Sequence, residues 1–270
     1  MRYLATIGER IRRVVRGSLP MPLYKHCAAM LDAYYGVRQF GIKEYLNLLA
    51  LSRSPEGKAP TEVHLRPLPH PLYVRSGTSD ASVIIHAIAR EAYSYKLPFG
   101  PVHLVIDAGA NIGDTTVWYA TRFPEALVVA IEPNSYNFDI LQKNAAPYGD
   151  RIRCLNSALW PVPDRSLATT GATWTAQVRD SVDADSNICM SIDPLTILRD
   201  SGWEAIDIFK IDIEGAELAL FLGDCDIWLR KTRSIAIEIH SREAREAVLS
   251  ATRRNGFTYA VYRDLHVFWK

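Results

Sequence analysis

The sequence predicts an α/β protein built on a mostly parallel sheet, and three stretches carry the prediction. Val102 to Ile106 is an apolar run that ends on Asp107 and is followed by Gly109 and Gly113. An apolar-periodic segment (Thr116, Val117, Ala120) then reaches Phe123 before Pro124 stops it. Ala126 to Ile131 is a second apolar run, closed by Glu132-Pro133-Asn134. Ile206 to Ile211 is a third, followed at once by Asp212, Glu214 and Glu217 around Gly215. Strands that alternate with helices in this way pair in parallel, because a parallel pair needs a crossover connection.

Ahead of these stretches, residues 1 to 17 set Arg2, Arg10, Arg12, Arg13 and Arg16 between Leu4, Ile7, Ile11, Val14 and Val15. The pattern predicts a basic amphipathic helix. Packing on the body of the protein is the stronger expectation, and peripheral contact with a membrane surface or a partner is the alternative. After Leu19-Pro20-Met21-Pro22 a second helix is expected through Ala28, Leu31, Tyr34 and Tyr35. A third runs from Ile42 to Leu51 and ends at Ser54-Pro55-Glu56-Gly57. Val63 to Arg66 and Leu72 to Arg75 flank Pro67, Pro69 and Pro71, which predicts two short edge strands. Ser79 or Asp80 can cap a helix reaching about Tyr95. The expected organisation is thus a helical extension over residues 1–60, a hairpin and helix over 61–100, and a core over 101–270.

The glycine turn after Asp107 is where a nucleotide-type cofactor is met at the C-terminal edge of a parallel sheet. A dinucleotide fingerprint needs a glycine two residues after the first, to let the backbone approach a pyrophosphate. Here that residue is Asn111. The pattern D-x-G-x-x-x-G therefore favours S-adenosylmethionine (AdoMet), which has no phosphate, over NAD. Asp107 and Gly109 are expected at its methionine end, with Asn111 and Gly113 in the same turn. Glu132 falls about one βαβ step further on, where an acid accepts hydrogen bonds from ribose hydroxyls, and Asn134 follows it. A helix from Ser135 to about Ala146 leads to a strand expected from Ile152 to Leu159, which brings Ser157 and Ala158 near the adenine.

Residues 160 to 190 lack helical periodicity and are rich in Thr, Ser, Asp and Gly, with Trp174 and Val178 spaced like parts of a meander. They predict an inserted hairpin near the mouth of the site. Asp193-Pro194 opens a short helix. Asp212 is expected at the cofactor edge as a catalytic group. Strand Ile235 to His240 ends in polar residues, and His240 at that edge can take a proton near neutral pH. The helix Arg242 to Arg254 stops at Asn255-Gly256, and two strands then close the sheet antiparallel around Arg263-Asp264.

The 270 residues carry 31 Lys and Arg against 30 Asp and Glu, a net charge of +1, so overall charge gives no argument for nucleic acid. A small or neutral acceptor is the more natural substrate. The four cysteines are scattered without a C-x-x-C pair, against a zinc site or a disulfide framework. No apolar run reaches the roughly 18 residues of a membrane span, and the expected location is the reducing cytoplasm.

With these stretches read, the chain resembles the FkbM family of AdoMet-dependent methyltransferases. The likeness rests on Val105-Ile106-Asp107-Ala108-Gly109-Ala110-Asn111-Ile112-Gly113 with Glu132-Pro133-Asn134, on Phe209-Lys210-Ile211-Asp212-Ile213-Glu214-Gly215-Ala216-Glu217, and on Leu72 to Asp80 upstream. It spans residue 61 to the C-terminus. The resemblance implies a Rossmann-like class I methyltransferase fold, with a seven-stranded, mostly parallel sheet and one reversed strand. It also implies O-methylation of a hydroxyl on a sugar, glycan or polyketide-like product. The acceptor itself does not transfer from the resemblance.

The expected chemistry is in-line methyl transfer, with Asp212 and His240 as candidate bases. Arg75, Asp80, Glu214 and Glu238 are expected beside the substrate or behind the groups that touch it. A Mg²⁺ ion on Asp212, Glu214, Glu238 and His240 is the weaker expectation, since strand alternation opposes gathering all four and no compact ligand motif is present. The rival readings are an NAD-dependent oxidoreductase, disfavoured by Asn111, and a non-catalytic methyltransferase-like module that docks a partner.

Overall fold

The computed structural model describes residues 21–57, 59–170, 177–179, 187–263 and 265–270. The basic helix expected over residues 1 to 17 lies outside them. Two helices open the described chain, α1 (Met21–Phe40) and α2 (Ile42–Arg53), with Gly41 between them at φ +98°. Strands β1 (Thr61–Val63) and β2 (Leu72–Val74) form the expected antiparallel hairpin. Helix α3 (Asp80–Ile84) then passes into a π-helical turn, Ile85–Ala89. It stops well short of the expected Tyr95, and Glu91 just beyond has a left-handed backbone at φ +50°. Ser79 stands at the N-cap without a side-chain bond, while the Asp80 carboxylate turns to Arg75.

The main sheet is laid down by β3 (Leu104–Ala108), α4 (Asp114–Arg122), β4 (Leu127–Ile131), α5 (Ser135–Ala145) and β5 (Ile152–Leu155). Beyond it the chain forms β6 (Ser157–Leu159), β7 (Ser166–Thr170), β8 (Gln177–Arg179) and β9 (Asn187–Ile192), then α6 (Pro194–Ser201). The sheet is completed by β10 (Ile206–Ile211), α7 (Glu217–Leu222), α8 (Asp226–Arg230), β11 (Thr232–Ile237), α9 (Arg242–Arg254), β12 (Thr258–Tyr262) and β13 (Leu265–Trp269).

Seven strands pair in the order β12-β13-β11-β10-β3-β4-β5. The five from β11 to β5 are parallel, and β13 pairs antiparallel with both β11 and β12. Side chains alternate across the strands. Val105, Val128, Ile208 and Ala236 enter a core shared with Val117, Ala120, Ile84 and, from α2, Leu48. Ile106, Val129, Phe209 and Ile235 enter a second core with Leu198, Leu220, Trp228 and Val248. This is a sheet between two helical layers, with period-2 burial on each face.

Three expectations need correction. The strand expected from Ile152 to Leu159 is broken at Asn156, whose side-chain amide donates to the Glu132 carbonyl at 2.8 Å. After that break β6 leaves the main sheet to pair in parallel with β9. The inserted segment is more than a hairpin: β6-β9-β7-β8 form a second, four-stranded sheet, in which Val178 pairs with Thr169, while Trp174 lies outside the described residues. Strand β11 ends at Ile237, so Glu238 and His240 leave the sheet on a loop and escape strand alternation.

Candidate active site

Sheet register places the site. Ala108 is level with Ile131 and with Ile211, which is level with Ile237. The next residues, Gly109, Glu132, Asp212 and Glu238, therefore leave the sheet along one edge. Backbone bonds continue the ladder there: Gly109 donates to the Ile131 carbonyl at 2.9 Å, Asp212 to Ala108 at 3.0 Å and Glu238 to Ile211 at 3.0 Å. The chain runs outward from β3 through β4 to β5 and returns on the other side of β3 at β10. Ligands of open α/β sheets bind outside the carboxyl ends at such a switch point.

A cavity of about 350 Å³ opens at that point. Gly109, Asn111, Glu132, Ala158, Asp212, Glu214, Glu238 and His240, all expected site residues, line it. Val83, His86, Ile131, Pro133, Asn137, Leu159 and Ile213 complete the wall. Of these, His86 lies on the π-helical turn, a feature that recurs at functional sites.

The glycine turn and the Asp212 loop touch directly. A Cβ on Gly109 would sit 1.7 Å from the Asp212 carbonyl oxygen, and Gly109 has φ +73°. The glycine is therefore required by protein packing against protein, in addition to any ligand. Gly113, at φ +87°, caps α4 with its hydrogen facing Leu141 and supports the turn from outside the cavity.

Asp107, expected at the methionine end, does not line the cavity. Its carboxylate is fully buried, 3.1 Å from Lys210 Nζ, and accepts from the Thr116 hydroxyl at 2.7 Å. Lys210 also donates to the carbonyls of Ala108 (3.2 Å) and Gly109 (2.6 Å). Burial works to lower the pKa of this ammonium, but Asp107 and Asp212 outweigh it and hold the lysine charged, above its ordinary value. Sequence reasoning gave Lys210 no role. The signal was available: a lysine inside a buried strand requires an acidic partner.

Glu132 is buried, with Oε2 accepting from the Asn111 backbone at 2.8 Å and Oε1 from the Asn134 backbone at 3.0 Å. Burial raises its pKa to about 7 against these bonds. Asn134 itself caps α5, accepting from Tyr136 and Asn137, and Ser157 is likewise off the cavity wall. Asn137, which was not expected, lines it and connects outward. Its Oδ1 accepts from Arg75 at 2.8 Å, and Arg75 pairs with the buried Asp80. Arg75 and Asp80 thus stand behind Asn137 on the Glu132 side of the cavity.

At the opposite end His240 is the hub. Its Nδ1 meets Glu217 Oε1 at 2.8 Å, and Nε2 stands 3.8 Å from Asp212 and 3.6 Å from Glu214. Glu217, the first residue of α7, is fully buried. The Glu217 bond, against burial and with help from the charges of Asp212 and Glu214, raises the His240 pKa to about 9. The charged form of His240 is therefore favoured at neutral pH in the protein without a bound cation. Glu214 carries a left-handed backbone at φ +48° and a pKa raised by burial and by Asp212.

A three-layer sheet with a glycine turn at its switch point and an acid after the next strand is the class I methyltransferase architecture. Residues 107–263, more than half of the chain, match the methyltransferase FkbM domain, and the chain belongs to that family. Among curated proteins it is 26% identical over 209 residues to the AMB antimetabolite synthetase AmbE of Pseudomonas aeruginosa, covering 61% of this chain and 10% of AmbE. It is 24% identical over 185 residues to the methyltransferase sdnD of Sordaria araneosa, covering 53% of this chain and 68% of sdnD. The solved precorrin-6y C5,15-methyltransferase of Geobacter metallireducens is 11% identical, over 64% of this chain and 83% of that one, with a TM-score of 0.40, too slight to argue from. Among the described residues no helix is long and apolar enough to cross a membrane.

Proposed function

We propose that the protein transfers the methyl group of AdoMet to a hydroxyl oxygen of a small-molecule acceptor. The observation that carries this reading is one continuous cavity with Glu132 at one end and Asp212, Glu238 and His240 at the other. Its size lies at the lower end of the range for small-molecule sites, roughly 300 to 1,000 Å³. Glu132 would take the ribose hydroxyls, Ala158 and Leu159 the adenine, and Gly109 and Asn111 the methionine end. The Asn111 side-chain oxygen fits this role, because it is buried without a hydrogen-bond partner among the described residues.

When bound, AdoMet supplies a methyl group on a sulfonium, so the acceptor oxygen takes the carbon as the carbon–sulfur pair returns to sulfur. The protein is left to align the acceptor and to receive one proton. Alignment alone can be worth effective molarities of about 10⁵ M. Of the two candidate bases, His240 is already protonated, and the Asp212 carboxylate is the acceptor. Lys210 holds Asp212 from behind at 3.9 Å, and His240 holds it from the side.

The similarity to a protein named an antimetabolite synthetase supports a specialised small-molecule acceptor, and a sugar, glycan or polyketide-like hydroxyl is the class we favour. Mass spectrometry of metabolite and glycan pools incubated with the protein and methyl-labelled AdoMet tests the reading. Label on an oxygen is the expected result; label on nitrogen or carbon overturns O-methylation.

A further inference from the structure

We infer that Asp212, Glu238 and His240 form a binding site for one divalent cation of the Mg²⁺ or Mn²⁺ class at the acceptor end of the cavity. One ligand atom from each of the three lies within 4.8 Å of the others. The strand ends at Ile237, and the loop that follows carries Glu238 and His240 to the same cavity wall as Asp212.

Two further features point to a ligand there. Asp212 Oδ1 is buried and has no hydrogen-bond partner among the described residues. The contacts of His240 Nε2, at 3.6 and 3.8 Å, are also too long for hydrogen bonds and leave a gap between the charged groups. Ligand atoms around an ion bonded at about 2.1 Å stand about 3 Å apart, so side-chain rotation has to close the triad. The other ring nitrogen is already committed: Nδ1 faces the fully buried Glu217. A carboxylate on the far nitrogen of a metal-binding histidine keeps the proton on Nδ1, so an ion that displaces the Nε2 proton meets a ligand already oriented.

Two carboxylates and one imidazole form a hard-to-borderline set, which suits Mn²⁺ or Mg²⁺ and lacks the thiolates of a soft site. Held by Asp212, Glu238 and His240, the ion would lower the pKa of an acceptor hydroxyl; in that cation-bound form Asp212 would serve as a ligand and the proton would pass to solvent. That role rests on the proposed methyl transfer; the binding itself does not.

The test is Mn²⁺ titration of the full-length, metal-stripped chain, followed by electron paramagnetic resonance and calorimetry. S-adenosylhomocysteine binding is measured separately by thermal shift. One Mn²⁺ per chain, competed by Mg²⁺, is expected. Glu238→Gln should weaken it at least tenfold while retaining S-adenosylhomocysteine binding, and Glu217→Leu should weaken it by about 10-fold or more through loss of ligand orientation. Absence of saturable Mn²⁺ binding to a protein that still binds S-adenosylhomocysteine overturns the cation site alone. Mn²⁺ binding that Glu238→Gln does not alter also overturns it. Failure of S-adenosylhomocysteine to bind, with Mn²⁺ bound normally, overturns the AdoMet reading and leaves the cation site standing.

Discussion

Lys210 Nζ lies 3.1 Å from Asp107 Oδ1 on the adjacent parallel strand, and from there it donates to the Gly109 carbonyl at 2.6 Å. The two residues are level in register, both buried, and together they anchor the turn that faces the cavity. The acid that opens the glycine motif and the lysine of the second motif are thus one structural unit. Their common product is the position of the Gly109 backbone.

Lys210→Met should therefore leave the Asp107 charge buried and uncompensated, with a loss of about 3 to 5 kcal/mol in stability. Asp107→Asn in the same chain should recover part of it, because both charges are then gone. Urea denaturation of the two single variants and the double variant measures the coupling. Strict additivity of the single effects would show that the pair is not a unit.

Gly109→Ala places a Cβ where the Asp212 carbonyl oxygen now stands, at a φ of +73°. Neither segment can retreat easily, since each is bonded into the sheet edge. The expected cost is about 4 kcal/mol or more, in the class of severe steric and backbone substitutions. S-adenosylhomocysteine binding should fall with it, read by calorimetry on whatever fraction remains folded. A Gly109→Ala protein with wild-type denaturation and binding would contradict the close approach.

Much of the fold was legible because periodicity and strand-end acids are local signals. The runs ending at Asp107, Glu132 and Asp212 each carried their own boundary, and Asp193 with Pro194 announced α6. What was illegible depended on partners far along the chain. Strand β6 departs toward β9, about 30 residues away, a choice made by the Asn156 break and by pairing that no local pattern encodes. In the site, Glu132, Asp212 and His240 were readable from their placement after strands. The commitment of Asp107 to Lys210 was not, nor was the link from Arg75 through Asn137 to the cavity wall, because both are tertiary pairings. Glu217, in sequence only one of three acids around Gly215, is tied to His240 by distance and burial.

The Glu217 to His240 bond gives a third prediction. Glu217→Leu removes the acceptor on Nδ1 and should cost about 1 to 3 kcal/mol, the desolvation of a donor left unpaired. Turnover should fall with it, because Nε2 and Asp212 lose their fixed relation. Glu217→Gln keeps an amide oxygen at the same distance and should restore most of the stability. Denaturation midpoints and turnover of the two variants are the measurements; equal loss in both would mean that the negative charge, and not the hydrogen bond, is what Glu217 supplies.

Glu132 carries the pH dependence. Burial raises its pKa from 4.5 to about 7, so between those values the folded chain holds a proton that the unfolded chain has released. Stability from this group is complete below pH 4.5 and is lost as pH rises through about 7, since the state binding more protons is favoured at lower pH. Ligand binding runs the other way. A carboxylate is a stronger acceptor for two ribose hydroxyls than a carboxylic acid, so S-adenosylhomocysteine affinity should improve as pH rises from 6 to 8. Calorimetric Kd values across that range should improve by about threefold or more in the wild type, on the scale of a charge-assisted bond. In Glu132→Gln they should be weak and flat. A pH slope that persists unchanged in Glu132→Gln would assign the titrating group elsewhere and remove Glu132 from the ribose site.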